Sequence, residues 1–382
     1  MAVKLFDGKL NQNAVLGTLY NMIISQEVFA DNINLKGTLA ERFRTDGTLY
    51  GDTKLFISTD IGYVYNFGGS GKTLLSKTHP KEPKTQAITI DTFKQTAITI
   101  DSVKLKQAFM SSDIYGAFIS VVTSWLRNSM AILNTTLINA YIGTTMTTAD
   151  RAEIKVELPD VSSITDISEK RQAESYVAEL IGASIANVMV ELKDVLREFN
   201  DYNFLRTYQP EDFILVWNKK WINRIKHISL PKIFHDYDVL KDHMLESDIL
   251  NDRYFGTVVS AAGTSDGATY RTLVDFYVTD NNGVQQQYFP GDIIPRGMGY
   301  RKGEAYTVDD TIICKLVHKN SVKFMSALVI ETEFYNPMDL DRNHYLTWGY
   351  SKPQYLAEYP LLTFTADIEE PVTGNVEDPQ GQ

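Results

Sequence analysis

The stretch "AITIDTFKQTAITIDSVK" at residues 87–104 contains the word AITID twice, ten residues apart. In each copy two isoleucines alternate with a threonine and an aspartate, so the isoleucines lie on one face of an extended chain. The period does not continue past Lys104, whereas a solenoid needs at least about three units to bury a face. The pattern therefore predicts two neighbouring, half-buried strands and excludes a repeat array.

A long hairpin is predicted directly before this stretch. The segment "TKLFISTDIGYVYNF" (53–67) is rich in β-branched and aromatic residues, "GGSGK" (68–72) interrupts it, and "TLLSKTHPKEPKTQ" (73–86) resumes the extended pattern. A hairpin with so little core of its own is not stable alone, so we expect it to contact another chain. The residues expected at that contact are Leu55, Ile57, Ile61, Val64, Tyr65, Phe67, Gly68, Gly69, Gly71 and Lys72.

The remaining chain predicts an α+β protein. A helix is expected over 112–142, which contains no proline, and a second over 171–199, which carries an apolar stripe at helical spacing. The second half is mostly strand: a hairpin over 272–289 with an Asn-Gly turn, a strand pair over 311–334, and a last ordered strand over 355–366.

The composition argues against a nucleic-acid-binding protein, a cysteine-based metal site and a membrane protein. The net charge of −11 opposes tight binding to a phosphate backbone. Cys314 is the single cysteine, so neither an intrachain disulfide nor a cysteine-based metal site can form, and its apolar neighbours predict a buried strand. The best membrane candidate, 117–142, carries Arg127 and three asparagines, and the N-terminus has no signal-like apolar core. We therefore expect a soluble protein without a membrane partner.

No motif predicts an active site, a cofactor or a metal. The sequence "FGGSGKTLL" lacks the first glycine of a phosphate-binding loop, since position 66 is Asn66, and Pro80 follows where a helix should begin. His227, His235 and His243 are spaced by eight residues, which does not bring them together on a helix. No serine lies in a nucleophile elbow, so we do not expect an enzyme.

The order of elements resembles that of the major capsid proteins of tailed bacteriophages, whose fold was first described for phage Hong Kong 97. An N-terminal arm, an extended hairpin, the doubled AITID run, a long helix and a closing strand occur in the same order. In that family a degenerate isoleucine–aspartate motif joins the hairpin loop to the peripheral domain. The matching positions are Ile88, Ile90, Asp91, Lys94, Ile100, Asp101 and Gln107.

The resemblance implies a Hong Kong 97-like fold with six segments. These are an N-terminal arm (1–45), an extended hairpin loop (46–86), a peripheral domain with a spine helix (87–170), an axial domain (171–340), returning peripheral-domain strands (341–368) and an acidic flexible tail (369–382).

The resemblance also implies a structural function. The chain would self-assemble into pentamers and hexamers of an icosahedral phage head that encloses double-stranded DNA, forming the virion capsid after assembly in the host cytoplasm. Its partners would be many copies of itself, a portal and a separate scaffolding protein, because no long charged helical segment stands at the N-terminus. A negative chain would let DNA slide without sticking.

Three other interpretations remain open from the sequence. One is a cellular nanocompartment shell of the same fold. The second is a β-rich carbohydrate- or receptor-binding protein, suggested by the aromatic residues and the Asp- and Asn-rich turns. The third is a nucleotide-dependent enzyme that uses the glycine-rich segment at 68–72.

Overall fold

The computed structural model is mixed α and β, as the sequence predicts. It describes residues 38–47, 53–62, 79, 81–101, 112–161, 164–226, 246–279, 283 and 285–368. The helices within these ranges are α1 (Leu39–Phe43), α2 (Ser112–Thr144), α3 (Ile167–Lys193) and α4 (Lys219–Lys226). The strands are β1 (Arg44–Asp46), β2 (Thr53–Ser58), β3 (Lys84–Thr89), β4 (Thr92–Asp101), β5 (Glu153–Leu158), β6 (Phe213–Asn218), β7 (Glu246–Leu250), β8 (Gly256–Val258), β9 (Gly263–Thr264), β10 (Tyr270–Thr272), β11 (Phe276–Thr279), β12 (Gln285–Tyr288), β13 (Gly299–Tyr300), β14 (Ala305–Val308), β15 (Ile312–His318), β16 (Val322–Asn336), β17 (Asp341–Tyr350), β18 (Gln354–Tyr355) and β19 (Leu361–Ile368).

The first sheet has the strand order β1-β16-β17-β4. Strands β16, β17 and β4 are antiparallel neighbours, β1 pairs with β16 in parallel, and β18 pairs with the start of β16. Along β4 exposed residues alternate with partly buried or buried ones. This alternation is the half-buried pattern that the second AITID predicts.

The second sheet has the order β5-β19-β15-β6-β7. Strands β6 and β15 are buried along their whole length, which explains why "FILVW" and "IICKLV" are continuous apolar runs rather than alternating ones. Helix α3 covers one face of this sheet with a stripe of small and branched apolar residues. Its members are Val177, Ala178, Ile181, Ile185, Val188, Met189 and Leu192.

Helix α3 differs at both ends from the predicted span 171–199. The Asp166 carboxylate accepts a 3.1 Å hydrogen bond from the backbone N–H of Ser168, so the helix begins earlier, at Ile167. It ends at Lys193, and Phe199, the last residue of the predicted helix, is buried in the turn beyond. Helix α3 is long and apolar enough to cross a bilayer, but half of its most apolar window is buried inside the protein, as in a core helix.

Helix α2 is one uninterrupted helix, begins at Ser112 as predicted and joins the two sheets. Its 33 residues extend for about 50 Å at ~1.5 Å per residue. One hydrophobic cluster contains apolar side chains from α2 and from both sheets. Examples are Leu126, Leu133, Ile138 and Ile142 of α2, Phe324, Leu346 and Trp348 of the first sheet, and Ile214, Val216 and Val317 of the second.

Residues 252–308 form a small insertion between β7 and β15. It contains the three-stranded sheet β10-β14-β8 and two two-stranded ribbons, β11-β12 and β9-β13. The hairpin predicted over 272–289 corresponds to β11 and β12, and Gly283 has a φ of +78° between them, as a tight turn requires. At the base of the insertion, a Cβ on Gly143 would lie 2.1 Å from the Tyr254 carbonyl oxygen, so only glycine fits there.

Two predicted strand pairings are wrong. The two AITID copies do not pair with each other: β3 pairs with β2, and β4 lies at the edge of the first sheet. The residues between them, Ile90 and Asp91, lack the positive φ that a two-residue hairpin needs. Strands β15 and β16, expected as a pair over 311–334, lie in different sheets because β6 and β19 occupy both edges of β15.

The last ordered strand, predicted over 355–366 as a returning peripheral-domain strand, is β19. It lies in the second sheet between β15 and β5, and β5 falls within the predicted peripheral segment 87–170. Strand β16, which falls within the predicted axial segment 171–340, pairs with β17 in the first sheet. Sequence separation is a poor guide here, because the chain crosses between the sheets several times.

Candidate subunit-contact surface

The predicted hairpin begins as a two-stranded ribbon formed by β2 and β3. The strands are antiparallel, and their register places Leu55 opposite Ala87 and Ile57 opposite Thr85. Because side chains alternate along each strand, the ribbon has an outer face with these four residues and an inner face that includes Phe56.

The outer face of the ribbon is apolar and open to solvent. Leu55 is 58% exposed and Ile57 is 61% exposed, and Ile61, just beyond β2, is 47% exposed. Three of the ten predicted contact residues are thus exposed, and two of them lie on the outer face of the ribbon. The other seven, Val64, Tyr65, Phe67, Gly68, Gly69, Gly71 and Lys72, lie outside the described residues.

The inner face fixes the ribbon to the body of the subunit. Ile88 and Ile90 are fully buried with Met325, Ala327 and Leu356, and Phe56 packs against this group. The Gln86 amide adds two hydrogen bonds: its Nε2 donates to the Tyr355 carbonyl at 2.5 Å, and its Oε1 accepts from the Ala357 N–H at 3.3 Å. Within the part of the chain that the structure describes, one face of the ribbon is therefore packed against the subunit and the other is exposed.

The structure divides the predicted join residues by role. Ile88, Ile90 and Ile100 are buried, and Asp91 is exposed between the two strands. Lys94 Nζ donates to Asp275 Oδ2 at 2.8 Å, which ties β4 to the insertion. Asp101 ends β4 opposite Asp341, and Gln107 lies outside the described residues.

A polar cluster at the base of the hairpin was not anticipated from the sequence. We call it the loop-base cluster, and it consists of Asp60, Lys81, Arg197, Arg206 and Glu358. Asp60 Oδ2 accepts hydrogen bonds from Lys81 Nζ at 2.5 Å and Arg197 Nη1 at 3.0 Å. Its Oδ1 accepts from the backbone N–H of Leu205 at 3.1 Å and of Ile61 at 2.9 Å.

Hydrogen bonds to Asp60, first of all from Lys81, hold the pKa of its carboxyl well below its usual range. The side chain is only 5% exposed. Nothing in the local sequence distinguishes Asp60 from any polar residue of a hairpin arm, because Arg197 and Leu205 are more than a hundred positions away. Only the fold brings these groups together.

The second half of the cluster centres on Glu358. Arg206 donates from Nε to Glu358 Oε1 at 3.1 Å and from Nη2 to the same oxygen at 3.0 Å. Arg206 Nη2 also donates to the Thr59 carbonyl at 2.5 Å, and Ser58 Oγ donates to Glu358 Oε2. The end of β2 is thereby linked to two other parts of the chain.

No arrangement for metal or cofactor binding is found among the described residues. They contain no cluster of three or more potential metal ligands, while the glycine-rich segment and the three evenly spaced histidines lie outside them. Cys314 is buried in β15, as predicted, and burial raises the pKa of its thiol well above the usual value. It is therefore an inert core residue.

A half-open cleft in the insertion has a volume of about 160 Å³ and is lined mainly by Val274, Phe276, Ile294, Met298 and Tyr300. Small-molecule sites typically measure ~300–1,000 Å³ and contain convergent polar groups. In this cleft, Thr272 Oγ1 donates to the Val274 carbonyl, and Glu304 accepts from the Arg301 backbone N–H. The cleft does not resemble a catalytic or carbohydrate site.

Comparison with known proteins supplies the family. Residues 2–352 match the family model of the Phi29-like phage major capsid protein. No curated protein is similar in sequence.

Two solved structures have the same fold over most of their length. A chain in the capsid structure of Staphylococcus phage Andhra aligns with a TM-score of 0.60 and 11% identity, over 90% of this chain and 87% of that one. A chain in the structure of head fiber and inner core protein gp22 of native bacteriophage P68 aligns with a TM-score of 0.54 and 12% identity, over 89% and 87%. At this identity the likeness shows the fold alone, and it is consistent with the predicted Hong Kong 97-like fold.

The role that follows is structural. The chain is a component of a phage virion capsid that is built from many copies of it. Nothing in the comparisons supports a nanocompartment shell, a carbohydrate-binding protein or a nucleotide-dependent enzyme. The chain belongs to the family of Phi29-like phage major capsid proteins.

Proposed function

We propose that the outer face of the β2–β3 ribbon, together with the hairpin beyond it, contacts a neighbouring copy of the chain in the capsid. The observation that carries this proposal is the pair Leu55 and Ile57, which are more than half exposed on a ribbon whose opposite face is anchored. Burying such a side chain contributes about 1.5–3 kcal/mol. Repeated in every subunit, contacts of this size are enough to hold a large assembly together.

The wider proposal is that the chain forms pentamers and hexamers of an icosahedral head enclosing double-stranded DNA. Assembly takes place in the host cytoplasm with a portal and a separate scaffolding protein, and it involves no catalysis. The net charge of −11 supports this proposal, because a chain with a net negative charge does not bind the DNA backbone tightly. The two similar structures are of a phage capsid and of a phage head fiber and inner core protein.

We also propose a division of the subunit into two parts. The first sheet and α2 form the peripheral part, and the second sheet and α3 form the axial part. The strand pairings support moving the predicted boundaries: β16 belongs with the peripheral strands, and β19 belongs with the axial ones. The predicted arm (1–45) and tail (369–382) remain proposals that fall almost wholly outside the described residues.

The test is a double substitution, Leu55→Lys with Ile57→Lys, in the full-length chain, assembled with the other head proteins if these are required. Both side chains are exposed in the isolated subunit. The free energy of unfolding of the subunit, measured by thermal denaturation, should therefore change by less than ~0.5 kcal/mol. Closed shells, counted by electron microscopy and sedimentation, should fall at least about tenfold, since one modest contact energy per subunit is lost.

Val190→Lys is the matched control, since Val190 is 53% exposed on α3, away from the ribbon. It introduces one lysine at similar exposure, half the charge change of the double variant, and should leave the shell yield unchanged. Normal shells from the ribbon double variant would contradict the proposed contact.

A further inference from the structure

We infer that the loop-base cluster is a positioning site, which sets the direction in which residues 61–80 leave the subunit. This inference rests on the proposed function of the hairpin as a contact between copies. It concerns residues outside that contact, since Asp60, Lys81, Arg197, Arg206 and Glu358 lie on the subunit side of the hairpin.

The cluster joins three separate parts of the chain at one carboxylate. Asp60 follows β2 and Lys81 precedes β3, so their ion pair closes the base of the hairpin. Arg197 and the Leu205 N–H belong to the turn between α3 and β6, which is part of the body of the subunit. The Asp60 carboxylate thus fixes both stems to each other and also to the body.

A second, independent link acts in the two residues before Asp60, at the end of β2 and just beyond it. Ser58 and the Thr59 carbonyl bind Glu358 and Arg206, whose side chains are bonded to each other by two hydrogen bonds. Glu358 lies in the same segment that accepts the Gln86 amide from β3. Both strands of the ribbon are therefore attached by polar contacts as well as by the buried isoleucines.

The charges make Asp60 the decisive member. It is nearly buried between Lys81 and Arg197, whose side chains are 28% and 45% exposed. Without the carboxylate, the two cations would face each other across the base of the hairpin and repel. Removing one cation is a smaller change, because the other still neutralises Asp60. Charged hydrogen bonds of this kind also fix the direction of the hairpin, because they are strong only over a limited range of distances and angles.

The test uses Asp60→Asn in the full-length chain and compares a local with a global readout. The local readout is the rate of trypsin cleavage in the hairpin, where the sequence offers Lys72 and Lys77. We expect this rate to rise about tenfold in the isolated subunit, the factor that corresponds to losing roughly one charge-assisted hydrogen bond. The midpoint of global thermal unfolding should stay within a few degrees.

Asp310→Asn is the matched control. Asp310 forms a 2.6 Å ion pair with Lys220, away from the hairpin, and this pair is about half exposed. The same substitution there should change neither cleavage nor shell formation. If Asp60→Asn does not fold, Lys81→Met replaces it, with a smaller expected rise in cleavage. Unchanged cleavage in the folded variant would overturn the inference.

The pH dependence of hairpin cleavage distinguishes an ionic contact of Asp60 from simple packing. The pKa of Asp60 is lower in the closed base than in an open one, so the carboxylate contributes fully above the ordinary aspartate value of about 3.9 and its contribution is lost as the pH falls. The difference in cleavage between the wild-type chain and Asp60→Asn should be constant above about pH 5 and shrink below about pH 4, measured with an acid-active protease. A difference independent of pH would overturn the ionic mechanism.

Shell formation distinguishes this inference from the proposed function. A chain in which residues 63–78 are replaced by a short glycine linker keeps the loop-base cluster but loses the hairpin. If that chain still forms normal shells, the part of the proposed contact that lies beyond the ribbon is wrong, and with it the positioning role. If it fails to assemble, and Asp60→Asn forms shells as well as the wild-type chain does, the contact stands and the positioning role is overturned. If neither the linker variant nor Asp60→Asn forms shells, and Asp60→Asn is cleaved faster, the result supports both the proposed contact and the positioning role.

Discussion

Strand β15 and the β2–β3 ribbon are built from similar residues but are stabilised in different ways. Strand β15 is buried along its whole length, with α3 on one side of its sheet and the α2 cluster on the other. The ribbon alternates, and its outer residues Leu55 and Ile57 remain exposed. Among the described residues, an apolar strand is therefore either buried on both faces in the subunit core or exposed on one face, as in the ribbon.

The difference separates folding from assembly. Substitutions in the second sheet should act on the free energy of unfolding of the single subunit. Substitutions on the outer face of the ribbon should act on association and leave the subunit intact. The inner face of the ribbon should behave like the core, although it lies only one residue away along the strand.

The largest effect is expected for Phe364→Ala in β19. Phe364 is fully buried between α3 and the second sheet and lies opposite Cys314 and Ile154. Truncating it leaves a cavity and should lower the free energy of unfolding by about 3–5 kcal/mol, measured by urea denaturation. The control Phe334→Ala, at a side chain that is 61% exposed, should cost less than ~1 kcal/mol. Equal losses would refute the assignment of β19 to the core.

A somewhat smaller effect, dependent on pH, is expected for Lys315→Met in β15. Lys315 is fully buried, and its Nζ donates to the Thr145 carbonyl at 2.7 Å beyond the end of α2. Burial lowers the pKa of Lys315 to about 7, although Asp309 opposes the shift. Between about pH 7 and pH 10 the unfolded chain therefore binds a proton that the folded chain does not.

The wild-type free energy of unfolding should therefore rise from about pH 7 to pH 10 by up to ~4 kcal/mol relative to Lys315→Met. Chemical denaturation at several pH values measures this difference directly. The exposed Lys352 offers the control Lys352→Met, which makes the same chemical change outside the core. Parallel curves for Lys315→Met would show that the buried amine does not titrate in this range.

The smallest loss of unfolding free energy is expected within the ribbon, where the buried inner face and the exposed outer face can be compared directly. Ile88→Ala removes a fully buried side chain of the inner face and should cost about 2–4 kcal/mol in urea denaturation. Ile57→Ala makes the same chemical change on the outer face and should cost less than ~0.5 kcal/mol in the isolated subunit. Similar losses at the two positions would mean that the ribbon does not have one anchored and one open face.

Local sequence patterns were enough to predict the helices and strands, but not to predict which strands pair with each other. The lack of proline and the apolar spacing predicted α2, and alternation predicted β4, because both depend on near neighbours in the chain. The pairing of β16 with β17 and of β19 with β15 was missed. Alternation of apolar residues shows that a strand has a buried face, but it does not show which sheet the strand belongs to.

The candidate site shows the same limit. The sequence identified Leu55, Ile57 and Ile61 as residues in need of a partner, because a glycine-tipped hairpin carries more apolar surface than it can bury. It did not identify the loop-base cluster. Asp60 and Glu358 are ordinary acidic residues in the sequence, and their partners lie far away along the chain.

The sequence by itself thus determined the α+β class, the two long helices, the extended hairpin and the absence of a recognisable catalytic motif, since composition and short-range periodicity carry this information. The tertiary structure alone decided which strands share a sheet, that Lys315 lies buried beyond the end of α2, and that a single carboxylate closes the base of the hairpin. The physical reason is that these features depend on contacts between distant residues, and such contacts leave no periodic signal in the chain.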